Sequence, residues 1–327
     1  MLICGIESSC DETACAIVED GRYVISNTVA SQIKTHMQFG GVVPEIAARE
    51  HLESINFVID ETFKKAGKSP SEMDAFAATM GPGLVGSLLV GANAAKAMSL
   101  VYNKPFVAVD HLQAHVCANF IDSTIEPPFL CLLVSGGHTQ LIKIAGFENQ
   151  EIVAETIDDA VGEVYDKVAR LLGLPYPGGI LLDKTAHSGN PHAFDLPIAK
   201  VGKNEFSFSG LKSATARLIE TFDKKNIPTE DICASFQHTV AETLVQKTLM
   251  FAKEFEYDKI VLAGGVAANS EIRRRFSDLE KVENGNYIVN FPDIKYCTDN
   301  AAMVASCAYF NPIKTHDSIT MEVYSRG

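Results

Sequence analysis

Positive charge is scarce in this chain. Against 41 aspartates and glutamates stand 28 lysines and arginines, a formal net charge of −13, and sequence-independent affinity for phosphates comes from lysine and arginine. A stand-alone nucleic-acid binder is therefore disfavoured, and any nucleic-acid substrate calls for a local basic patch or a basic partner. Paired cysteine motifs are also missing. Cys4, Cys10, Cys15, Cys117, Cys131, Cys233, Cys297 and Cys307 include no C-x-x-C and lie mostly in apolar runs, so a zinc ribbon or disulfide framework is set aside and they read as reduced core residues. No apolar run reaches the length expected of a membrane span, and the sequence enters a strand pattern at Leu2-Ile3-Cys4 without the basic region and cleavage site of a secretory leader. A cytoplasmic protein is expected. Low-complexity tracts and long linkers are absent as well.

What is there is enzyme-sized: 327 residues, 46% hydrophobic, enough for two linked cores. The most informative stretch is Val109-Asp110-His111-Leu112-Gln113-Ala114-His115. Phe106-Val107-Ala108-Val109 reads as a buried strand entered through Pro105, and Asp110 with Gln113 three residues later fits an N-cap with a capping-box partner. His111 and His115, at i and i+4, then share one helical face. Neutral imidazoles so placed can bind one metal ion, with Asp110, Gln113 or a backbone carbonyl fixing their tautomers; two partly buried structural histidines are the alternative. H-x-x-x-H lacks the glutamate of H-E-x-x-H, so the peptidase base is missing from the helix. A third ligand has to come from elsewhere.

Two segments share one plan of strand, small polar turn and strand: Leu2 to Val18, with the turn Ser8-Ser9-Cys10-Asp11, and Phe129 to Ile144, with the turn Ser135-Gly136-Gly137-His138. Each tip offers hydroxyls and N–H groups that can hold phosphate, and their recurrence suggests internal duplication. A third glycine element, Gly264-Gly265, joins the strand Lys259–Ala263 to the helical Ser270 to Phe276, a usual resting place for a nucleotide's base and sugar. By analogy this is the layout of the α/β actin-like ATPase and sugar-kinase fold, with two related lobes. Thr156 to Leu172 is predicted helical, with Val161, Val164, Val168, Leu171 and Leu172 on an apolar face and Asp159, Glu163, Asp166 and Arg170 on another. Thr229 to Phe255 reads as a long scaffold helix. A rival motif is Gly81-Pro82-Gly83-Leu84-Val85-Gly86 after the strand Ala75 to Met80, which matches a dinucleotide fingerprint with Asp110 as the ribose acid. Close helix packing through Gly86, Gly91, Ala92, Ala94 and Ala95 explains it equally well.

Several motifs, in order along nearly the whole chain, carry a more specific resemblance. Glu7-Ser8-Ser9-Cys10-Asp11-Glu12-Thr13, Gly40-Gly41-Val42-Val43-Pro44-Glu45, Gly81-Pro82-Gly83-Leu84, His111-x-x-x-His115, Val134-Ser135-Gly136-Gly137-His138-Thr139, Tyr176-Pro177-Gly178-Gly179, Phe206-Ser207-Phe208-Ser209-Gly210-Leu211-Lys212 and Cys297-Thr298-Asp299-Asn300 resemble the tRNA threonylcarbamoyladenosine transferase family, formerly described as O-sialoglycoprotein endopeptidases. Ser8 stands where threonine is usual, and Ile180 where proline is common. The resemblance implies an actin-like fold, with lobes at 1–108 (completed by 300–327) and 109–299. It implies transfer of threonylcarbamoyl from threonylcarbamoyl-adenylate to N6 of adenosine 37 in tRNAs reading ANN codons, releasing AMP.

Carried over residue by residue, the resemblance makes His111, His115 and Asp299 the ligands of one divalent ion, Fe2+ or Zn2+; by itself Asp299 reads as the N-cap of a helix over Asn300 to Tyr309. Leu133, Val134, Ser135, Gly136 and Gly137 would line the adenylate, Asp166, Gly179, Asp183 and Asn269 its sugar and base, and Ser9, Asp11 and Glu12 the phosphate side, where Mg2+ accompanying the nucleotide is a further expectation. Asp166 and Asn269 are thereby assigned to ligand rather than core. His138 is the candidate general base, or else orients its loop. The implied partners are tRNA, a smaller inactive paralogue of the same fold and an accessory ATPase, with no membrane. Lys203, Lys212, Arg217 and Arg273-Arg274-Arg275 are the local basic candidates. A metallopeptidase would use the same histidines but needs a glutamate base; a kinase or regulatory ATPase would use the hairpins and has no need of the histidines.

Overall fold

The computed structural model describes residues 1–282, 287–313 and 318–325. They form two compact units, one of residues 1–126 and 292–327 and one of residues 127–291. The first begins with β1 (Leu2–Glu7), β2 (Glu12–Glu19) and β3 (Tyr23–Ser31), an antiparallel meander, followed by α1 (Ile33–Met37) and α2 (Pro44–Ala66). Pro44 opens α2 at a position whose N–H has no helical partner anyway, and Gly67 closes it in the left-handed conformation (φ 62°). β4 (Ala75–Gly81), α3 (Val85–Tyr102), β5 (Phe106–Asp110) and the two-turn α4 (His111–Cys117) follow. The sheet order is β3-β2-β1-β4-β5, with β4 parallel to both of its neighbours. β4 is buried at all seven positions, as a central strand covered on both faces must be.

The second unit repeats the plan. β6 (Phe129–Val134), β7 (Thr139–Gly146) and β8 (Asn149–Thr156) form the meander, followed by α5 (Val161–Leu171), α6 (Gly178–Ala186), β9 (Glu205–Phe206), α7 (Ser209–Glu220), α8 (Thr229–Phe255), β10 (Lys259–Ala263), α9 (Ser270–Val282) and β11 (Ile288–Asn290). Its order is β11-β10-β6-β7-β8-β9, with β10 parallel to β6 and β11. The run β8-β7-β6-β10-β11 is topologically the run β3-β2-β1-β4-β5, so the repeated strand-turn-strand segments are the first two strands of each copy. The chain then returns to the first unit, where α10 (Ala301–Phe310) packs on β1. At Gly5 a Cβ would stand 2.6 Å from the Ala301 carbonyl oxygen and 2.7 Å from the Ala305 nitrogen, so only glycine lets that helix lie against the strand.

Three expectations change. The helix predicted over 156–172 begins at Val161, because Glu155 and Thr156 pair with β9 as strand and Asp158 and Asp159 turn aside to hold the Phe206–Lys212 segment. Its valines 161, 164 and 168 are buried as predicted, but Leu171 is 48% exposed. The boundaries between units fall at 126/127 and 291/292 rather than 108/109 and 299/300, since α4 packs on α10. Finally, α3 is long and apolar enough by composition to cross a bilayer, contrary to the expectation that no run qualifies; it packs against α2 and β4. The long helix over 229–255 and the strand at 259–263 lie where they were predicted.

Candidate metal centre and nucleotide-side residues

α4 starts where β5 ends, at the carboxyl end of the sheet. Asp110 is its N-cap, one carboxylate oxygen accepting the N–H groups of Leu112 (2.9 Å) and Gln113 (3.0 Å). The capping box is not closed: Gln113 Oε1 accepts instead from Asn311 Nδ2. On the next turns His111 and His115 stand edge to face, ring centroids 4.7 Å apart. The third group arrives from the other end of the chain. Asn300, not Asp299, caps α10, its side chain accepting the Met303 N–H at 3.0 Å, which leaves Asp299 free to face the histidines. Asp299 Oδ1 lies 3.1 Å from His115 Nε2 and 3.7 Å from His111 Nε2. Two ligands bonded to one zinc or iron at about 2.0–2.2 Å sit roughly 3–3.5 Å apart, so the spacing fits a shared ion. Among the described residues this is the group of three whose ligand atoms all lie within 4.8 Å of one another.

The structure adds a residue that sequence reasoning passed over. Glu7, fully buried at the end of β1, accepts the Ser9 N–H (2.5 Å) and the Thr79 hydroxyl (2.5 Å), and its Oε2 faces His111 Nδ1 at 3.4 Å. Ser9 Oγ is 3.2 Å from the same nitrogen. A carboxylate at Nδ1 places the proton there and turns the Nε2 lone pair towards Asp299, the arrangement a metal-bound histidine needs. Nδ1 of His115 has no such partner among the described residues. Without an ion the cluster holds a proton: burial opposes charging of His111, but Asp299 and Glu7 outweigh it and raise its pKa to about 9. Burial likewise opposes charge on Asp299, and the two histidines win, lowering it to about 2. The signal for Glu7 was its place inside Glu7-Ser8-Ser9, but nothing local distinguished it from Glu12.

The phosphate-side residues sit in the turn from β1 into β2. Ser9 is already engaged through its N–H and hydroxyl. Glu12 is pushed up to about 10 by burial and by the carboxylates of Asp299 and Asp11, and it accepts from the Ser31 hydroxyl. The dinucleotide reading of Gly81–Gly86 does not hold. A Cβ at Gly83 would stand 2.7 Å from the Ser9 carbonyl oxygen, one at Gly91 2.4 Å from Ser8 Oγ, and Asp110 is a helix cap; these glycines let α3 dock on the Ser8-Ser9 turn.

In the second unit, Leu133 and Val134 end β6 and Ser135, Gly136 and Gly137 form an open tip, with nothing within 4 Å of a Cβ at either glycine. The Ser135 N–H donates to the His138 carbonyl, and the His138 N–H to Ser135 Oγ, so the main chain of His138 closes this turn. Gly264 (φ 87°) lies against Val134, a Cβ there standing 2.4 Å from its carbonyl oxygen, so the tip and the late glycine turn are brought together. The remaining residues hold helix starts. Asp166 Oδ1 accepts the N–H groups of Gly178 (2.9 Å) and Gly179 (3.1 Å) at the head of α6. Asp183 accepts the Ser270 hydroxyl and N–H, and Asn269 accepts the Ile272 N–H while donating to Gln237. Asp166 and Asn269 therefore support the fold as well, a correction to their assignment to ligand alone. The basic candidates are largely neutralised: Lys203 pairs with Glu254, Lys212 with Asp159, Arg274 with Glu271 and Asp278, and Arg275 with Glu242, while Arg273 covers the Phe291 ring.

Comparison with known proteins places this geometry. Residues 23–306 match the model of the TsaD family, described as tRNA N6-adenosine threonylcarbamoyltransferase. A protein of that name from Caldicellulosiruptor bescii is 52% identical over 313 residues, 95% of this chain and 93% of the relative; one from Bacillus subtilis is 51% identical over 310 residues, 94% and 89%. Among solved structures, T. kodakarensis HypF superposes with a TM-score of 0.62 at 17% identity, covering 94% of this chain and 47% of that one. The Acidaminococcus fermentans (R)-2-hydroxyglutaryl-CoA dehydratase component A gives 0.53 at 16%, covering 94% and 98%. These likenesses support the actin-like α/β fold expected from the duplicated meander. The chain belongs to the tRNA N6-adenosine threonylcarbamoyltransferase family, and it is an enzyme of that activity.

Proposed function

We propose that this chain transfers the threonylcarbamoyl group of threonylcarbamoyl-adenylate to N6 of adenosine 37 in tRNAs reading ANN codons, releasing AMP, with one Fe2+ or Zn2+ held by His111, His115 and Asp299. The observation that carries this reading is the convergence of two imidazole Nε2 atoms and a carboxylate released from helix capping. The donor is a mixed anhydride whose leaving group departs readily, so no protein nucleophile is needed: the N6–carbonyl bond forms, the carbonyl–phosphate oxygen bond breaks, and the amine loses a proton. When bound, the ion supplies a Lewis acid for the acyl or phosphoryl oxygen. The protein's share is positioning and charge placement. Glu7 and Ser9 hold His111 in one tautomer, and Glu12 stands at the start of β2 on the phosphate side. The open tip at Gly136 and Gly137 suits close approach of the adenylate, and His138 is the base we assign to the amine proton, with Mg2+ accompanying the nucleotide.

Cytoplasmic action fits eight free cysteines, seven of them buried. The acidic surface and the paired lysines and arginines support dependence on an inactive paralogue and an accessory ATPase for tRNA capture. The test is incubation with threonylcarbamoyl-adenylate, unmodified tRNA and those partners, followed by nucleoside analysis. Modified adenosine is expected with the unaltered chain and not with Asp299→Ala or His115→Ala, which should remain folded and lose the metal. Full activity and metal content in Asp299→Ala would overturn the ligand set.

A further inference from the structure

Gly81, the first residue of the Gly81-Pro82-Gly83 motif, is the seat of Tyr324 in the segment 318–325. That segment runs along β4 and β5: the Tyr324 N–H donates to the Met80 carbonyl at 2.9 Å, and Lys96 Nζ donates to the Met321 carbonyl at 2.6 Å. At Gly81 (φ 152°) a Cβ would stand 2.2 Å from the Tyr324 carbonyl oxygen and 2.6 Å from its ring, so only glycine admits the tyrosine. Gly81 is the register partner of Asp110 across β4 and β5. From this seat the Tyr324 hydroxyl donates to Asp110 Oδ2 at 2.7 Å, while Oδ1 of the same carboxylate caps Leu112 and Gln113.

We infer that Tyr324 is a positioning residue for the metal centre, fixing through Asp110 the start of the helix that carries His111 and His115. The physical reason is the shortness of α4. In seven residues the first turn cannot be held by helix cooperativity, and His111 is its first residue, so its direction follows the cap. With both oxygens engaged, Asp110 has one orientation. Without the tyrosine, Oδ2 is unrestrained and the carboxylate can rotate away from the two N–H groups it caps.

This inference rests on the metal reading above, and two readouts on the full chain separate them. One needs no metal: amide hydrogen exchange in Tyr324→Phe is expected to accelerate at Leu112 and Gln113 and stay unchanged in β1 and β4. The other is the zinc dissociation constant by chelator competition, expected to rise about threefold to tenfold, at or below the low end of losses from removing an outer-shell partner. Asp110→Asn should weaken zinc binding too, and the double variant should bind no more weakly than the weaker single variant, because both changes break one linkage. Unchanged exchange at Leu112 and Gln113, unchanged zinc affinity in a Tyr324→Phe protein whose parent binds zinc, or additive losses would each overturn the proposal. Faster exchange throughout β1 and β4 would also overturn it, by making Tyr324 general scaffold. A parent chain that binds neither Zn2+ nor Fe2+ would remove the metal reading, and this one with it.

Discussion

Replacing Glu7 by glutamine tests the metal centre without touching a ligand. The carboxylate accepts from the Ser9 N–H and the Thr79 hydroxyl and faces His111 Nδ1 at 3.4 Å. Glutamine fills the same volume, and its carbonyl oxygen can keep the Ser9 contact. Its NH2 group then points at Thr79 and His111, donating where the carboxylate accepted. The imidazole must respond by moving its proton to Nε2, the atom that faces Asp299, so each metal ion bound has to reverse that tautomer and do without the carboxylate's contribution to imidazole basicity. Removing such outer-shell partners costs about 10–100-fold in affinity, or about 1.4–2.7 kcal/mol. Folding stability should fall as well, because His111 holds the Glu7 carboxylate below its ordinary range against the opposing effect of burial, and neutralising it removes one partner of a buried charge pair. The assay is zinc competition against a calibrated chelator, alongside 15N shifts of the His111 ring. The His111 pKa should also fall from about 9, since Glu7, with Asp299 and Asp110, is one of the three carboxylates that hold it up. Zinc affinity equal to that of the parent, with the ring proton still on Nδ1, would refute the reasoning.

Three further outcomes are expected. Asp159, turned from the predicted helix to bind Lys167, Lys212 and Ser209, is held below the usual carboxylate range by those groups against the opposing effect of burial. Its contribution to stability is complete above its unfolded pKa of about 4 and is lost as pH falls below it; Asp159→Asn should cost about 2 kcal/mol at pH 7 and flatten that acid dependence in denaturant titrations, and an unchanged acid limb would refute it. Asp166→Ala should lower thermal stability together with adenylate affinity, by about 1–2 kcal/mol for the lost helix start, whereas a loss of affinity alone would return Asp166 to a purely ligand-binding role. Gly5→Ala should destabilise the first unit by about 1–3 kcal/mol in chemical denaturation, and a neutral result would mean that α10 can back away from β1.

Much of the fold was legible because its signals are local. The paired meanders announced themselves as apolar runs around small polar turns, the i, i+4 histidines fell on one helical face after a strand with an aspartate cap, and the glycine turn followed its strand. The helix predicted from Thr156 failed because periodicity is blind to strand pairing: Thr156 is recruited by Phe206, fifty residues on. Asp299 was read locally as a helix cap, since aspartate beside a helix start is usually that; Asn300 outcompetes it, and the displaced carboxylate turns towards the two histidines beside which the family resemblance had put it.

By itself, the sequence determined the fold class, the histidine pair and, through its ordered motifs, the family, because hydrophobic period, turn chemistry and ligand spacing are properties of neighbouring residues. Only the tertiary structure decided that Asp299 is released from capping to face both histidines, that Glu7 lies against His111 Nδ1, that Asp166 and Asn269 secure helix starts, and that Tyr324 reaches back to Asp110. These depend on side chains separated by 12 to 214 residues or, for Asn269, on which of several competing hydrogen bonds the packed chain selects. Burial fixes that choice, since inside the protein a polar group must find its partner among whatever the fold has brought within reach.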